Sequence, residues 1–498
     1  MRRGLCAAVL ADLHLCGDNR TSQYAALLDA CAIIRRERPD VLLSLGDASA
    51  FGSEEDTRLY LRALRDTGVP LLSVAGNSDL RTPETASANR TALSVGSPLR
   101  LDPYTVMGLD DADGTLREAD MAALEQAIAA GAPLLVCMHM RVPLPALPEG
   151  SVVLCGHTHD AAVRQEDGVT YCRVPAADPD KAIGVPPSVT LLCMDGETVS
   201  LRTLPLLRAR HASDLPAYLG FSCYDPLPDI DHAIACGVRS IELRPGVTDT
   251  DRAALREKIR SFRASGGRYL SLHLPDMPRA GIDDALLRHL ELAEMLGVNG
   301  VTIHIPGETP EAFRQDAGLY AAYAAHYAAL AERLDDRIGI GVENMHTTPG
   351  RTSDSARRWG CIPEEMLDFR RTVNALLRRE RVQLHLDVGH ARNNAPFSQH
   401  YPVSVWYAQV GGVCNAYHVH QVSPLFQNHQ PIEEPYAPLV NYSGFLWSWE
   451  NGLLRRRPVI LEIPSREGRE RSYRALRSLC DGITCSDGQG VPKNYSMM

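Results

Sequence analysis

Up to about residue 206, short apolar runs alternate with amphipathic stretches. The runs are "GLCAAVLAD", "DVLLSLGD", "VPLLSVAGN", "APLLVCMHM", "SVVLCGHTH" and "SVTLLCMDGETVSLRTL". Most end in Gly, Asp, Asn or His, as strands do when they hand over to polar loops. The last run predicts an antiparallel hairpin turning at Asp195-Gly196, a strong turn pair. Strands with helices between them, ending in polar loops, predict an α/β sandwich.

Beyond residue 218 the pattern becomes a regular strand-helix alternation. The strands read "YLGFSC", "SIELRP", "YLSLHLP", "GVTIHIPG", "GIGVEN", "VQLHLDVGH", "AYHVHQV" and "VILEIP". Helical stretches such as "AGLYAAYAAHYAALAERL" lie between them. Eight β/α units in this length predict a (β/α)8 TIM barrel, typically about 250 residues. The expected organisation is a domain over 1–206, a linker over 207–218 ("LRARHASDLPAY"), a barrel over 219–480 and a loosely ordered tail over 481–498.

Composition fits this division. A chain of 498 residues is too long for one core, and 45% hydrophobic with 22% charged residues is a globular balance. No apolar run approaches the ~20 residues that span a bilayer, so no membrane partner is expected. "MRRGLCAAVLADLHLCGD" has the basic start of a signal peptide, but Asp12 and His14 interrupt its apolar stretch, and it reads as a first core strand. The 13 cysteines are odd in number, form no CxxC and partly sit in apolar runs. Free thiols of that kind point to a reducing, cytoplasmic location.

The net charge of −10 is unevenly placed. Residues 1–206 hold 18 Lys+Arg against 27 Asp+Glu, or −9, and the remainder holds 33 against 34, or −1. Neither part offers the basic stripe that grips long nucleic acid, which disfavours a nucleic-acid partner.

The chemistry lies at the strand ends. The first half gives Asp12-Leu13-His14, Gly46-Asp47, Gly76-Asn77-Ser78-Asp79, His139 and Gly156-His157-Thr158-His159. Any one of these alone would be an ordinary cap or turn residue. Together they place seven oxygen and nitrogen ligands after five successive strands, a mix suited to Mn, Fe or Zn. A carboxylate such as Asp47 has two oxygens and can bridge two ions about 3.5–4 Å apart, which activate a water and clamp phosphate oxygens.

These motifs resemble those of the calcineurin-like metallophosphoesterases, with D-x-H, GD, GN-x-D, H and GHTH in the family's order over residues 4–206. The resemblance implies two ions, one on Asp12, His14, Asp47 and His159, the other on Asp47, Asn77, His139 and His157. It makes Asn77, Ser78 and His139 the candidate catalytic residues. Many family members carry a histidine after the asparagine, which protonates the leaving group. Here that position is Ser78, whose hydroxyl does not ionise near neutral pH, so a working site without its usual acid is expected.

The barrel strands carry Glu242, His273, His304, Glu343, Asp387 with His390, His418 with His420, and Glu462. A lone histidine or acid there is usually a satisfied core residue; nearly one per strand, where barrels build active sites, is not. His385 and Glu242 are the weakest members. The pieces "SLHLPD", "TIHIPG", "GVENM", "LDVGHA", "AYHVHQV" and "PVILEIP" resemble the xylose-isomerase-like barrels, which include sugar isomerases, epimerases and apurinic endonuclease IV. In the isomerase branch the resemblance implies one ion on Glu343, Asp387, His418 and Glu462, with Glu343 and Glu462 moving protons. In the endonuclease branch His273, His304, His390 and His429 bring further zinc ions, but Gln427 stands where that pattern has an aspartate. One to three ions (Mn, Mg or Zn) follow. The turns after "SIELRP" and "SLHLPD" are short and carry few basic or aromatic residues, which favours a small sugar or sugar phosphate over duplex DNA.

The expectation is a cytoplasmic two-domain metalloenzyme. Its first domain hydrolyses a phosphomonoester or phosphodiester, and its barrel acts on a sugar-like substrate as an isomerase or epimerase. The rivals are a nucleic-acid repair enzyme and a scaffold with one half reduced to a binding module.

Overall fold

The first apolar run, Leu5–Leu10, forms strand β1 in the computed structural model, which describes residues 5–195, 198–207, 213–425, 427–437 and 439–484. Alternation within β1 sets the layering. Ala7 and Val9 point into one buried cluster and Ala8 and Leu10 into another.

With β2 (Val41–Leu45), β3 (Leu71–Val74), β10 (Ser188–Asp195) and β11 (Thr198–Pro205), β1 builds a five-stranded sheet in the order β11-β10-β1-β2-β3. A second sheet has the order β4-β5-β6-β7-β9-β8, from β4 (Leu99–Leu101), β5 (Tyr104–Gly108), β6 (Leu134–Cys137), β7 (Val152–Cys155), β8 (Ala162–Glu166) and β9 (Val169–Arg173). Val9, Leu43 and Leu72 of the first sheet share one core with Val106, Leu135, Leu154 and Cys172 of the second, so the sheets are stacked face to face. The outer face of the first sheet is covered by the helices Ser22–Glu37 and Glu54–Arg65, and that of the second by Glu118–Ala129. This is the expected α/β sandwich.

The ligand-bearing strands β1, β2, β3, β6 and β7 are not successive, because β4 and β5 intervene. β8 and β9 were also not expected from the apolar pattern: "AVRQE" of β8 has no buried face to mark it, and β9 is largely buried but mixes Thr, Tyr and Arg into its five residues. Asp195 pairs with Thr198 across the β10–β11 hairpin, while Gly196 lies outside the described residues.

The second unit is a closed barrel of eight parallel strands: β12 (Leu219–Cys223), β13 (Ser240–Leu243), β14 (Tyr269–His273), β15 (Gly300–His304), β16 (Gly339–Glu343), β17 (Val382–Asp387), β18 (Cys414–Val419) and β19 (Val459–Leu461). Every expected barrel strand is present. Before it, Leu215–Ala217 is a short 3-10 turn, and the middle of the expected linker, 208–212, lies outside the described residues. The tail is corrected in part: helix Arg466–Thr484 continues past residue 481, and 485–498 are not described.

The chain divides into two compact units, but the division is not a single cut. Residues 436–447 cluster with the N-terminal unit, and 448–482 return to the barrel. Within the N-terminal unit, Gly184 N–H donates to Tyr436 O at 2.9 Å and Asn441 Nδ2 to Ala182 O at 2.5 Å. No helix among the described residues is long and apolar enough to cross a membrane.

Candidate metal centres

In the N-terminal unit the loops after β1 and β2 are stitched together by backbone bonds. Asp12 N–H donates to Gly46 O, and Leu13 and His14 N–H both donate to Asp47 O. This forces side chains into unusual backbone conformations. Asp12, His14, Asp47, His157 and His159 all have positive φ, between 53° and 65°. Each such residue costs on the order of 1–3 kcal/mol, and their clustering marks where the fold spends stability on geometry.

The result is two groups of ligand atoms around one carboxylate. Asp12, His14 and His159 bring theirs within 4.8 Å of one another. Asp47 Oδ2 lies 3.1 Å from His14 Nε2, and its Oδ1 lies 3.5 Å from His139 Nε2. His139 Nε2 is in turn 3.0 Å from Asn77 Oδ1, and the His139 and His157 rings meet edge to face at 5.1 Å. All seven expected ligands are therefore brought together, with Asp47 turned toward both groups. Asp12, His14, Asp47 and His139 are buried, whereas Asn77, His157 and His159 form the more open side.

Backing residues fix these ligands. His139 Nδ1 is 2.8 Å from Leu45 O, which leaves Nε2 for the site. His14 Nδ1 lies 3.3 Å from Asp178 Oδ2, and Gln23 Nε2 donates to Asp178 Oδ1 at 2.9 Å. Ser78 is not aimed at a substrate position: its N–H and its hydroxyl both bond Asp47, each at 2.8 Å. Burial pushes Asp12 up to about 6, whereas His139, His14 and the Ser78 N–H overcome burial at Asp47 and hold it well below the carboxylate range.

In the barrel, Glu343 occupies the equivalent central place. Its Oε2 is 3.0 Å from His273 Nε2 and 3.6 Å from His304 Nε2. Its Oε1 is 3.0 Å from His418 Nδ1, which also lies 2.8 Å from Glu462 Oε2 and 3.8 Å from Asp387 Oδ2. A further group joins Asp387, His390, His420 and His429 within 4.8 Å. Gln427 is exposed; His420, which the sequence named only as a strand neighbour of His418, is inside that group.

Here too the ring nitrogens are anchored from behind. His273 Nδ1 is 2.8 Å from Leu274 O, His304 Nδ1 is 2.6 Å from Asp276 Oδ1, and His390 Nδ1 is 3.1 Å from Asn344 O. His385 lies against the His418 ring at 4.0 Å and meets the Thr302 hydroxyl at 3.0 Å.

Metal ions fit both sets. Glu343, Asp387 and Glu462 are buried carboxylates, and Arg244 pairs with Glu462 Oε1 at 2.6 Å. His429 Nε2 is buried without a hydrogen-bond partner and lies 3.6 Å from Glu462 Oε1. Convergent carboxylates and unpaired imidazole nitrogens form a cation's donor set.

Two family models match the chain. The family model described as xylose isomerase-like TIM barrel matches residues 230–481, half of the chain. The chain belongs to the xylose isomerase-like TIM barrel family. The model for calcineurin-like phosphoesterases matches residues 7–161, which contain all seven candidate ligands of the N-terminal unit. No curated protein matches the chain. Among solved structures, a dimetal phosphatase from Danio rerio is 14% identical, covering 40% of this chain and 96% of its own, with a TM-score of 0.32. A D-tagatose 3-epimerase-like protein is 16% identical over 53% of this chain and 98% of its own, TM-score 0.40. A D-allulose 3-epimerase from Methylomonas sp. is 17% identical over 50% and 85%, TM-score 0.35. The candidate ligand groups of the barrel lie on or after β14 to β19, and those of the phosphoesterase-like unit on the loops after β1, β2, β3, β6 and β7.

Proposed function

We propose that the chain is a metal-dependent phosphoester hydrolase whose two units each hold a polynuclear metal centre. The observation that carries this reading is the placement of Asp47 and Glu343. Each presents its two oxygens to two separate sets of ligands.

In the phosphoesterase-like unit, Asp12, His14 and His159 would hold one ion and Asn77, His139 and His157 the other, with Asp47 shared. The bound ions would activate water and neutralise charge on a phosphate, the usual contribution of a two-metal site. Ser78 keeps Asp47 oriented and has no hydroxyl proton left for a leaving group. The substrate class is a phosphomonoester or phosphodiester that needs little acid assistance.

In the barrel, Glu343 lies between His273 and His304 on one side and His418 on the other. A carboxylate committed to two sets of ligands is poorly placed to carry protons, which supports hydrolysis of a small phosphorylated, sugar-like substrate over isomerisation. The quartet of Glu343, Asp387, His418 and Glu462 favours a second reading, a one-ion sugar isomerase or epimerase. A duplex substrate is disfavoured by the near-zero charge of residues 207–498.

The deciding experiment is metal analysis and an activity screen of the full chain against phosphodiesters, sugar phosphates and free sugars, alongside Asp47→Asn and Glu343→Gln. Two activities that each fall in one variant and each cleave a phosphoester bond support the proposal. A Glu343-dependent sugar interconversion without phosphoester cleavage supports the second reading.

A further inference from the structure

His418 is turned the opposite way from His273 and His304. Those two anchor Nδ1 on a carbonyl or carboxylate and turn Nε2 to Glu343, at 3.0 Å and 3.6 Å. His418 faces Glu343 and Glu462 with Nδ1, and its Nε2 points away, 2.8 Å from Glu242 Oε1. A neutral imidazole carries one proton, so a histidine that ligates through Nδ1 must keep that proton on Nε2.

Glu242 meets the requirement. It sits on β13, fully buried, on the far side of the His418 ring from Glu343 and Glu462. Its other oxygen accepts bonds from the Thr302 hydroxyl at 2.9 Å and the Ser271 hydroxyl at 3.3 Å, so the next two strands hold the carboxylate in place. We infer that Glu242 is a positioning residue. It takes no place around the ion, but accepts the Nε2 proton of His418 and thereby fixes the tautomer and ring plane that turn Nδ1 toward Glu343, Asp387 and Glu462. Carboxylates behind metal-bound histidines act this way, and their loss typically lowers metal affinity by about 10–100-fold.

The inference rests on the barrel holding a metal ion, and the test separates the two claims. Full-length protein carrying Asp12→Asn and Asp47→Asn, which empties the phosphoesterase-like unit of its carboxylate ligands, is titrated with Co(II) against a competing chelator. The barrel of this background is expected to bind Co(II), and adding Glu242→Gln should weaken that binding about 10–100-fold. Spectra of Zn(II)-loaded, 15N-histidine protein, with the His418 ring identified by its absence in His418→Gln, should show Nδ1 coordination in the background. In Glu242→Gln they should show a mixed or Nε2-coordinated ring, a change that mere loss of stability would not produce. If Glu242→Gln fails to fold, Thr302→Val removes a bond to Glu242 without touching His418, and should weaken Co(II) binding in the same direction by a smaller factor. Unchanged affinity and unchanged Nδ1 coordination in the folded variant overturn the role of Glu242 and leave the metal centre standing. A background barrel that takes up no Co(II) overturns both.

Discussion

Ser78 holds Asp47 twice, with its backbone N–H on Oδ1 and its hydroxyl on Oδ2, both at 2.8 Å. The residue in the usual acid's position is thus a brace for the carboxylate shared by both ligand groups. A hydrogen bond to a charged group is worth about 1.5–3 kcal/mol, so Ser78→Ala should lower phosphoesterase turnover or metal affinity roughly 10–100-fold. Because the hydroxyl gives the substrate no proton, the dependence of rate on leaving-group pKa should be the same in Ser78→Ala as in the parent. Ser78→His should lose metal instead of gaining an acid, because Ser78 is fully buried and an imidazole must displace Asp47. A Ser78→His enzyme that speeds the hydrolysis of alkyl esters would sink this account.

The missing acid has its own kinetic consequence. General-acid help is worth about 10²–10⁴-fold where the leaving group is poor. Aryl phosphoesters with acidic leaving groups should therefore be turned over far faster than alkyl monoesters. The check is a series of aryl esters assayed with the Glu343→Gln chain, so that only the phosphoesterase-like unit contributes. A rate that does not vary with leaving-group pKa would mean that another group supplies the proton.

Behind the opposite ligand group, Asp178 stands 3.3 Å from His14 Nδ1, as Glu242 stands behind His418. Asp178→Asn should lower metal affinity of the phosphoesterase-like unit by about 10–100-fold with little change in melting temperature. Metal content after dialysis against a weak chelator reads the first quantity and thermal unfolding the second. A parallel loss of both would make Asp178 a folding residue only.

What the sequence revealed and what it hid divide along a physical line. Asp12, Asp47, Asn77, His139, His157 and His159 follow apolar runs directly, and so do His273, His304, Glu343 and Asp387; strand ends are visible as breaks in hydrophobicity. Asp178 and Gln23 sit in a loop and on a helix face, and only folding brings them to His14. Glu242 was visible as a polar residue in a strand, but its role depends on which ring nitrogen of His418 it meets, and spacing does not encode that. Strand β8 was missed because a solvent-facing strand lacks an apolar run, and residues 436–447 because their partners lie more than 250 positions earlier.

That distant segment bears on any dissection of the chain. Within the N-terminal unit, Asn441 bonds Ala182 O, and the Cα of Gly444 packs so closely that a Cβ there would fall 2.0 Å from Asp180 Oδ1. Asp180 shares Gln23 with Asp178, so the contact supports the loop behind His14. A fragment ending at residue 210 should melt lower than the same fragment with 436–447 attached through a Gly/Ser linker. The loss of one or two buried contacts of about 1 kcal/mol each corresponds to a shift of roughly 2–8 °C in a unit this size. Identical melting curves would show that the segment adds nothing to the unit.

The sharpest division concerns Glu343. If it is shared between His273 with His304 and His418 with Glu462, Glu343→Gln weakens two ions together, and the full chain should lose more than one metal equivalent. A one-ion isomerase loses a single equivalent and keeps His273 and His304 as bystanders, so His273→Ala should leave its metal content unchanged. Under the shared reading His273→Ala removes about one equivalent and most of the barrel's activity. Both measurements use metal analysis after dialysis and are independent of substrate identity. Duplexes bearing abasic sites form the third arm. A nuclease barrel would bind them with an affinity that falls steeply with salt, because each neutralised phosphate releases counterions. Residues 207–498 carry 33 Lys+Arg against 34 Asp+Glu, so weak binding and no Glu343-dependent nicking are expected. Glu343-dependent nicking at abasic sites, lost on raising the salt, would overturn the small-substrate assignment while leaving the shared metal centre intact.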